Sequence, residues 1–378
     1  MSSTQPQPAI NAIPYSPEYW ERLKSLVHSV EELKKDGYKL EPLDSKAIQR
    51  LRRCRNCHLR MQKRTRKPKS DDLETRLANV SLDQEGGDPA DAASIDDDVE
   101  EPGTIAAVEE DPTQEKKAQK PKYVCRFHPG TVVSKHFTCC QSYVAQPGCT
   151  FAEQHESVDY ALGELEAYWA LYKTPQSRNK HKRYRKAVAL DCEMGTSTRG
   201  EKELIRLTAV DFFTGEVLVD SLVYPSVPMQ HFNTRYSGVT RGMLEAARRK
   251  KTCIMGRDAA RQRLWRYVGP ETIVVVHGGH NDFLALRWIH LRVVDTFLVA
   301  RAAREKKKKK QQQQQQEQQP DADGVAEKRG LSLKDLADAI LGWQIQRGKQ
   351  GHCSLEDALA CRALADWYVR NLAEDVRD

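Results

Sequence analysis

The sequence predicts an α/β domain behind a small Cys/His-rich module, and three observations carry that prediction. From about residue 187 onward, short apolar runs alternate with stretches of helical spacing. Cysteine and histidine crowd into two clusters, at 54–57 and 125–155. Between them, over about 65–120, the chain is acidic and almost free of aromatic residues, the composition of a disordered linker. A chain of 378 residues has room for two or three such units.

Local signals give the elements in order. In an N-terminal segment spanning 1–50, residues 16–36 read as one amphipathic helix. Ser16 can cap it, Pro17 suits its first turn and Gly37 can end it. Trp20, Leu23, Val27, Val30 and Leu33 make an apolar stripe, which argues for packing against a partner surface. The Cys/His module with its acidic insertion covers 51–160. A helix over about 157–173 and a basic linker to 186 follow.

The α/β domain occupies 187–374. It opens with the β-runs "AVALDCEM", "ELIRLTAVDFF" and "EVLVDSLVYP", the last two separated by the turn "FTGE". Helices over about 240–249 and 256–268 lead to a strand "TIVVVHG", a helix "NDFLALRWI" and a short strand "RVVDT". Residues 305–329, with five consecutive lysines and six consecutive glutamines, cannot build a core. They are expected to loop out between a helix near 297–304 and one at 332–342, and a helix over 354–373 closes the domain.

Within this domain, five residues stand where side chains of their kind need a reason. Asp191 and Glu193 end a strand, Asp282 opens a helix after a buried-looking strand, and His352 and Asp357 flank a helix start. In an extended strand alternate side chains share a face, so Asp191 and Glu193 project together while Cys192 points away. Carboxylates gathered this way suit hard divalent cations, and a nearby histidine can take a proton from water. Each piece alone also fits a plainer role: a solvated strand end, helix-capping aspartates, an inert turn histidine.

Charge and composition narrow the partners. The longest apolar runs fall far short of the roughly 20 residues of a membrane span, so no membrane association is expected. The N-terminus lacks the basic-then-apolar layout of a secretory signal, so the ten cysteines are expected to be reduced or metal-bound. Net charge is +7, unevenly spread: residues 51–70 carry nine Lys/Arg and no acid, while 71–120 carry sixteen acids and four bases. Six more bases fill "RNKHKRYRK" (178–186), directly before the first strand of the domain. Basic runs around a hydrolytic site suit a polyanionic substrate, and they equally fit solvated linkers or a nuclear-import signal. From "RMQKRTRKPK" we expect nuclear residence, with or without a cytoplasmic pool.

Taken together, the order strand Asp-x-Glu, strand-to-helix Asp, then His-x4-Asp resembles the DEDDh 3′–5′ exonucleases, a group with the RNase H-like fold. More narrowly it resembles the REX-type RNA exonucleases over about 187–373. "ALDCEMG" is similar to that family's first motif, "HNDF" to its second and "GHCSLEDA" to its third; "VVDT" with Asp295 is also in place. "FNTRYSGVT" (232–240) resembles the family's substrate-side loop, whereas Val276 and Gly279 stand where the family usually carries Gly and Leu.

The resemblance implies an RNase H-like mixed sheet flanked by helices. It implies that Asp191, Glu193, Asp282 and Asp357 hold two Mg²⁺ or Mn²⁺ ions, that His352 is the general base, and that Met194, Thr234, Ser237, Gly238 and His277 line the terminal nucleotide. The expected activity is a 3′–5′ exoribonuclease that trims single-stranded RNA 3′ ends and releases nucleoside 5′-monophosphates. A DNA 3′–5′ exonuclease carries the same five residues, and an inactive zinc-containing nucleic-acid-binding adaptor is the third alternative.

The Cys/His module supplies Cys54, Cys57, Cys125, His128, Cys139, Cys140, Cys149 and His155, enough for two tetrahedral zinc sites. Sequence so poor in aromatic residues needs such a staple to fold. The arrangement C-x2-HPG…CC…GC…H resembles CHORD zinc modules, with the long insertion 58–124 as a departure. One or two structural Zn²⁺ ions are expected, with the sharing of ligands left open. This module, or the N-terminal helix, is the expected contact for a protein partner.

Overall fold

The computed structural model describes residues 11–61, 124–176, 184–317, 330–347 and 351–371. The acidic stretch and most of the basic runs (62–123 and 177–183) lie outside the described residues.

The N-terminal segment forms α1 (Pro17–Ser25), α2 (Val30–Lys35) and α3 (Ser45–Arg50). Ser16 accepts from Tyr19 N–H and Pro17 opens α1, as the sequence suggests, but the single helix expected over 16–36 is broken in two. The reason is local. Ser29 and Glu32 make a reciprocal capping box that restarts the helix at Val30, and His28 N–H leaves the helix to donate to Val293 O (3.0 Å). Nor does the apolar stripe wait for a partner. Leu23 and Leu26 pack under one face of the main sheet, Leu33, Tyr38 and Leu40 under the other.

The Cys/His module is built from two small antiparallel pairs, β1 (Cys125–Phe127) with β4 (Thr150–Ala152) and, between them in sequence, β2 (Val132–Val133) with β3 (His136–Phe137). In place of the helix expected over 157–173 there is one short helix, α4 (Glu164–Tyr168), entered through Gly163 at φ +75°. After it β5 (Tyr172–Lys173) pairs with a strand of the main domain.

That domain is organised on one mixed sheet. Long antiparallel strands β6 (Ala187–Ser197), β7 (Lys202–Asp211) and β8 (Val217–Tyr224) form a meander; β9 (Met229–His231) pairs with the end of β6. Then come α5 (Thr234–Ser237), α6 (Arg241–Arg249), β10 (Ile254–Met255) and α7 (Gly256–Leu264). Next are β11 (Ile273–Val276), α8 (His280–Ala285), β12 (Trp288–Ile289), β13 (Val293–Asp295) and α9 (Thr296–Glu317). Helix α10 (Leu333–Leu336) runs into a π-turn over Ala337–Leu341, and α11 (Ser354–Asn371) closes the domain. Strand order is β10-β8-β7-β6-β11-β13, with β11 parallel to β6 and β13 parallel to β11. This is the helix-flanked mixed sheet of the RNase H-like fold.

Helices on both faces explain why β6 reads as a nearly unbroken apolar run. Its even positions, Val188, Leu190 and Cys192, enter the core shared with α7 and α8. Its odd positions, Ala187 and Ala189, enter the core shared with α11 and α1. Asp191 and Glu193 continue that second face towards α11.

The Lys/Gln tract departs from expectation. Helix α9 does not stop near 304; it continues through the lysines and glutamines to Glu317, and 318–329 lie outside the described residues. Lys and Gln are good helix formers, so a helix already nucleated on the core can propagate through them. Among the described residues, no helix is long and apolar enough to cross a membrane.

Candidate active site and two Cys/His tetrads

Three elements deliver the predicted acids to one place. On β6, Asp191 lies opposite Thr208 and Glu193 opposite Arg206 of β7, and the register slips at Glu193/Met194, a bulge beside the site. Asp282 sits in the first turn of α8, where the helix N-terminus favours a negative charge. Asp357 sits in the first turn of α11, and its N–H donates to Cys353 O (3.0 Å). Ser354, at the head of the same helix, meets Thr208 through a 2.6 Å hydroxyl contact, which ties the start of α11 to the strand facing Asp191.

Glu193, Asp282 and Asp357 are buried, and Asp191 keeps partial exposure. One ligand atom from each of Glu193, His352 and Asp357 lies within 4.8 Å of the others. His352 Nδ1 stands 3.6 Å from an Asp357 carboxylate oxygen.

The electrostatics record the crowding. Burial, then the charges of Asp282, Asp357 and Glu193, push the Asp191 carboxyl well above its ordinary range. Burial, then Asp357 and Asp282, raise Glu193 to about 8, with Arg206 opposing. Burial raises Asp357 to about 7 against a donating Gln346, and burial with Asp295 raises Asp282. His352 is lowered by burial and by Lys334, so it is neutral near pH 7 and free to accept a proton. Glu193 and Asp357 gather with His352, the charges of Asp282 and Asp357 act on both Asp191 and Glu193, and these hard oxygen donors fit divalent cations.

The residues proposed for the substrate are engaged differently. Thr234 Oγ1 donates to Val239 O (2.8 Å), and Ser237 Oγ donates to Phe232 O (2.7 Å) while accepting from Val239 N–H (3.1 Å). Both hydroxyls therefore close their own turn. Gly238, at φ +65°, ends it, and Gly351 rests on it so closely that a Cβ there would lie 2.2 Å from Gly238 N. His352 N–H donates to Tyr236 O (2.5 Å), so this turn holds the histidine. The Met194 carbonyl accepts from Asn233 Nδ2 (3.1 Å). His277 spends both ring nitrogens inside the fold, on Thr296 Oγ1 (2.9 Å) and Leu331 O (3.1 Å). Nε2 donates to the Leu331 carbonyl, while the Thr296 hydroxyl beside Nδ1 donates its own proton to Val276 O (3.0 Å).

Sequence reasoning missed several participants. Gln346, in left-handed backbone at φ +56°, donates to both Asp357 oxygens (3.1 Å each). Lys202 Nζ donates to Asn281 Oδ1 (3.2 Å), beside Asp282. Nothing in the local sequence marks Gln346. Thr208 left no such signal either, since β7 already carries Glu203 and Arg206 among its apolar residues.

The Cys/His module resolves into two sets of four. Cys54, Cys57, Cys125 and His155 offer ligand atoms all within 4.8 Å of one another, and so do His128, Cys139, Cys140 and Cys149. Neighbouring contacts include Cys54 Sγ–Cys125 Sγ at 3.7 Å, Cys57 Sγ–His155 Nδ1 at 3.3 Å and Cys139 Sγ–Cys149 Sγ at 3.6 Å. A tetrahedron drawn around Zn–S bonds of ~2.3 Å has edges of about 3.8 Å, so both sets fit a zinc ion. The Ser142 hydroxyl and N–H hold the Cys140 thiol down at about 6, close to the thiolate a metal needs.

The first set is also joined to the nuclease-fold sheet. Arg53 donates to the buried Glu201 at the β6–β7 turn and, through Nη1, to His58 O (2.6 Å). Arg60 stacks over Trp169, and Arg55 pairs with Asp159 (2.6 Å). These arginines of the basic run at 51–70 thus serve the fold, contrary to a purely solvated or substrate-facing run.

Fold and site together define an exonuclease domain, and comparison with known proteins agrees. Residues 188–365 match the RNase_T exonuclease family. Similar curated proteins include RNA exonuclease 3 of Candida albicans, 29% identical over 262 residues, covering 67% of this chain and 56% of that protein. Exonuclease GOR of Pan troglodytes is 33% identical over 259 residues (66% and 33%), and human RNA exonuclease 1 homolog 33% over 241 residues (64% and 17%). Over residues 188–365 the chain is thus similar to the exonuclease domains of these RNA exonucleases. It spans 56% or less of the length of these relatives. Among solved structures, the Pan2 catalytic unit of Neurospora crassa is similar at 19% identity and a TM-score of 0.39, over 53% of this chain and 30% of that one.

Proposed function

We propose that this protein is a metal-dependent 3′–5′ exoribonuclease that trims RNA 3′ ends and releases nucleoside 5′-monophosphates. The observation that carries the reading is the meeting of four carboxylates, all with raised proton affinity, beside a neutral histidine. Asp191, Glu193, Asp282 and Asp357 would hold Mg²⁺ or Mn²⁺, whose charge activates water and stabilises the leaving 3′ oxygen. His352 takes the proton of the attacking water. Its Nδ1 faces Asp357, which leaves Nε2 for that transfer. The turn at 232–240 and the chain at 351–352 are joined by the Tyr236–His352 and Gly238–Gly351 contacts, so the substrate loop and the base are set together. The names of the curated relatives favour RNA over DNA.

Each tetrad would hold one structural Zn²⁺ with no open coordination position, in the manner of the CHORD-like module the sequence resembles. Nuclear residence and recruitment of RNA by the basic runs 62–69 and 177–183 belong to the same proposal. The test is digestion of matched 3′-labelled single-stranded RNA and DNA with Mg²⁺, Mn²⁺ or EDTA. Stepwise loss of label from RNA that stops in EDTA is expected; DNA cut faster than RNA, or no cleavage in any lane, overturns the proposal.

A further inference from the structure

We propose that Tyr38, far upstream of the exonuclease match at 188–365, is a positioning residue that fixes Asp282 through Asp295. The inference rests on the reading of Asp282 as a metal ligand. Among the described residues no side-chain hydrogen bond anchors the Asp282 carboxyl; its place depends on the loop that starts α8, where Gly278 takes φ +61° and Asp282 N–H donates to Gly279 O (3.0 Å). That loop is held by a single carboxylate. Asp295, buried at the end of β13, accepts from Gly278 N–H (2.8 Å), Gly279 N–H (3.2 Å) and Phe297 N–H (3.0 Å).

Tyr38 supplies the remaining donor. Its hydroxyl donates to Asp295 Oδ2 at 2.5 Å, and the side chain is buried. The ring packs 5.5 Å from Phe283 and 6.2 Å from His280, the residues on α8 that bracket Asp282. Two further contacts pin the segment itself. Asp36 pairs with Arg301 of α9 (2.5 Å), and His28 Nε2 contacts Asp295 O (3.1 Å). Tyr38 therefore touches both the carboxylate that holds the α8 loop and the face of α8 formed by His280 and Phe283. Removing only its hydroxyl leaves a buried carboxylate one donor short and frees the loop to shift, while the ring still fills its place. Outer partners that orient metal ligands have this effect on affinity more than on folding.

The experiment compares wild type, Tyr38→Phe and Tyr19→Phe in the full chain. Tyr19 is the matched control, a second N-terminal tyrosine whose hydroxyl donates to a nuclease-domain aspartate, Asp366 (2.6 Å), on α11 away from Asp282. Mn²⁺ binding is followed by loss of the free-ion EPR signal, alongside cleavage of 3′-labelled RNA against Mn²⁺ concentration and thermal melting. Tyr38→Phe is expected to need roughly tenfold more Mn²⁺ for half-saturation and half-maximal rate, with KM for RNA unchanged. Tyr19→Phe is expected to lower Tm only. A Tyr38→Phe binding curve that overlays wild type overturns the proposal, as does a fall in Tm without displacement of that curve. Wild-type protein that binds Mn²⁺ but cuts no RNA sinks the nuclease reading alone, since the binding curves still test Tyr38; wild-type protein that binds no Mn²⁺ sinks both.

Discussion

In the acid cluster, four carboxylates face one another, with Arg206 and Lys202 the cations that lower their proton affinity. In the tetrads, three thiols and one imidazole meet at contact distances already close to those around an ion. The first arrangement crowds acids that exchangeable cations would relieve; the second offers a closed shell of four ligands that would keep a single ion. One chain thus carries a site suited to turnover and two suited to permanence, and what separates them is ligand chemistry more than depth of burial. Cys139 and Cys149 are exposed, yet their tetrad is as complete as the buried one.

The largest break in this comparison comes from the acids. Asp191→Asn is expected to lower the rate on RNA by more than the ~10²–10³-fold typical of losing one transition-state donor, because a shared ligand of the cations goes. The same substitution removes like-charge repulsion, so metal-free melting should stay level or rise. Near-wild-type rates would sink the site. His352→Ala should cost about 10²-fold or more, the scale of a general base, while leaving the Mn²⁺-induced rise in Tm intact. Loss of that rise would recast His352 as a ligand.

The tetrads should part company with each other. Cys125→Ser is expected to release one zinc per chain and lower Tm by several degrees, since Cys54 and Cys125 are buried in a module tied to Glu201 through Arg53. Cys149→Ser should also release one zinc yet leave the melting of the nuclease domain nearly unchanged. Metal analysis and calorimetry on the two proteins decide it; equal effects on Tm would contradict the contrast.

The smallest expected effect is one of pH. Glu193 at about 8 and Asp357 at about 7 hold protons in the fold that the unfolded chain, with pKa near ~4, has already lost. Their stabilising contribution is therefore complete below about pH 4 and is lost as pH rises through 7 and 8. Divalent cations compete for the same oxygens, so the gain in Tm from Mn²⁺ should grow between pH 6 and 8.5, by about 2–4 °C for each kcal/mol of added stabilisation. A gain that stays flat with pH would show that the carboxyls are already ionised in the metal-free fold.

How much of this was legible beforehand depended on range. Alternation within β6 was enough to place Asp191 and Glu193 on one face, and the break from apolar strand to helix announced Asp282. The eight Cys/His residues were visible as a set, but their division into two tetrads was not, because it depends on β1–β4 pairing across sequence that says nothing of register. The N-terminal stripe looked the same whether it met another protein or its own sheet; only tertiary packing distinguishes the two. The Lys/Gln tract misled for a related reason. Inability to form a core is not inability to stay helical, and α9 supplies the nucleus.

A zinc ion held by Cys54, Cys57, Cys125 and His155 would tie together the two ends of segment 58–124. Closing such a loop costs entropy that grows only with the logarithm of its length, about 0.6 kcal/mol per doubling. The body of the protein is thus almost indifferent to how many residues that segment contains. Lengthening or shortening the chain within 62–123 is therefore expected to leave the domain at 188–365 undisturbed.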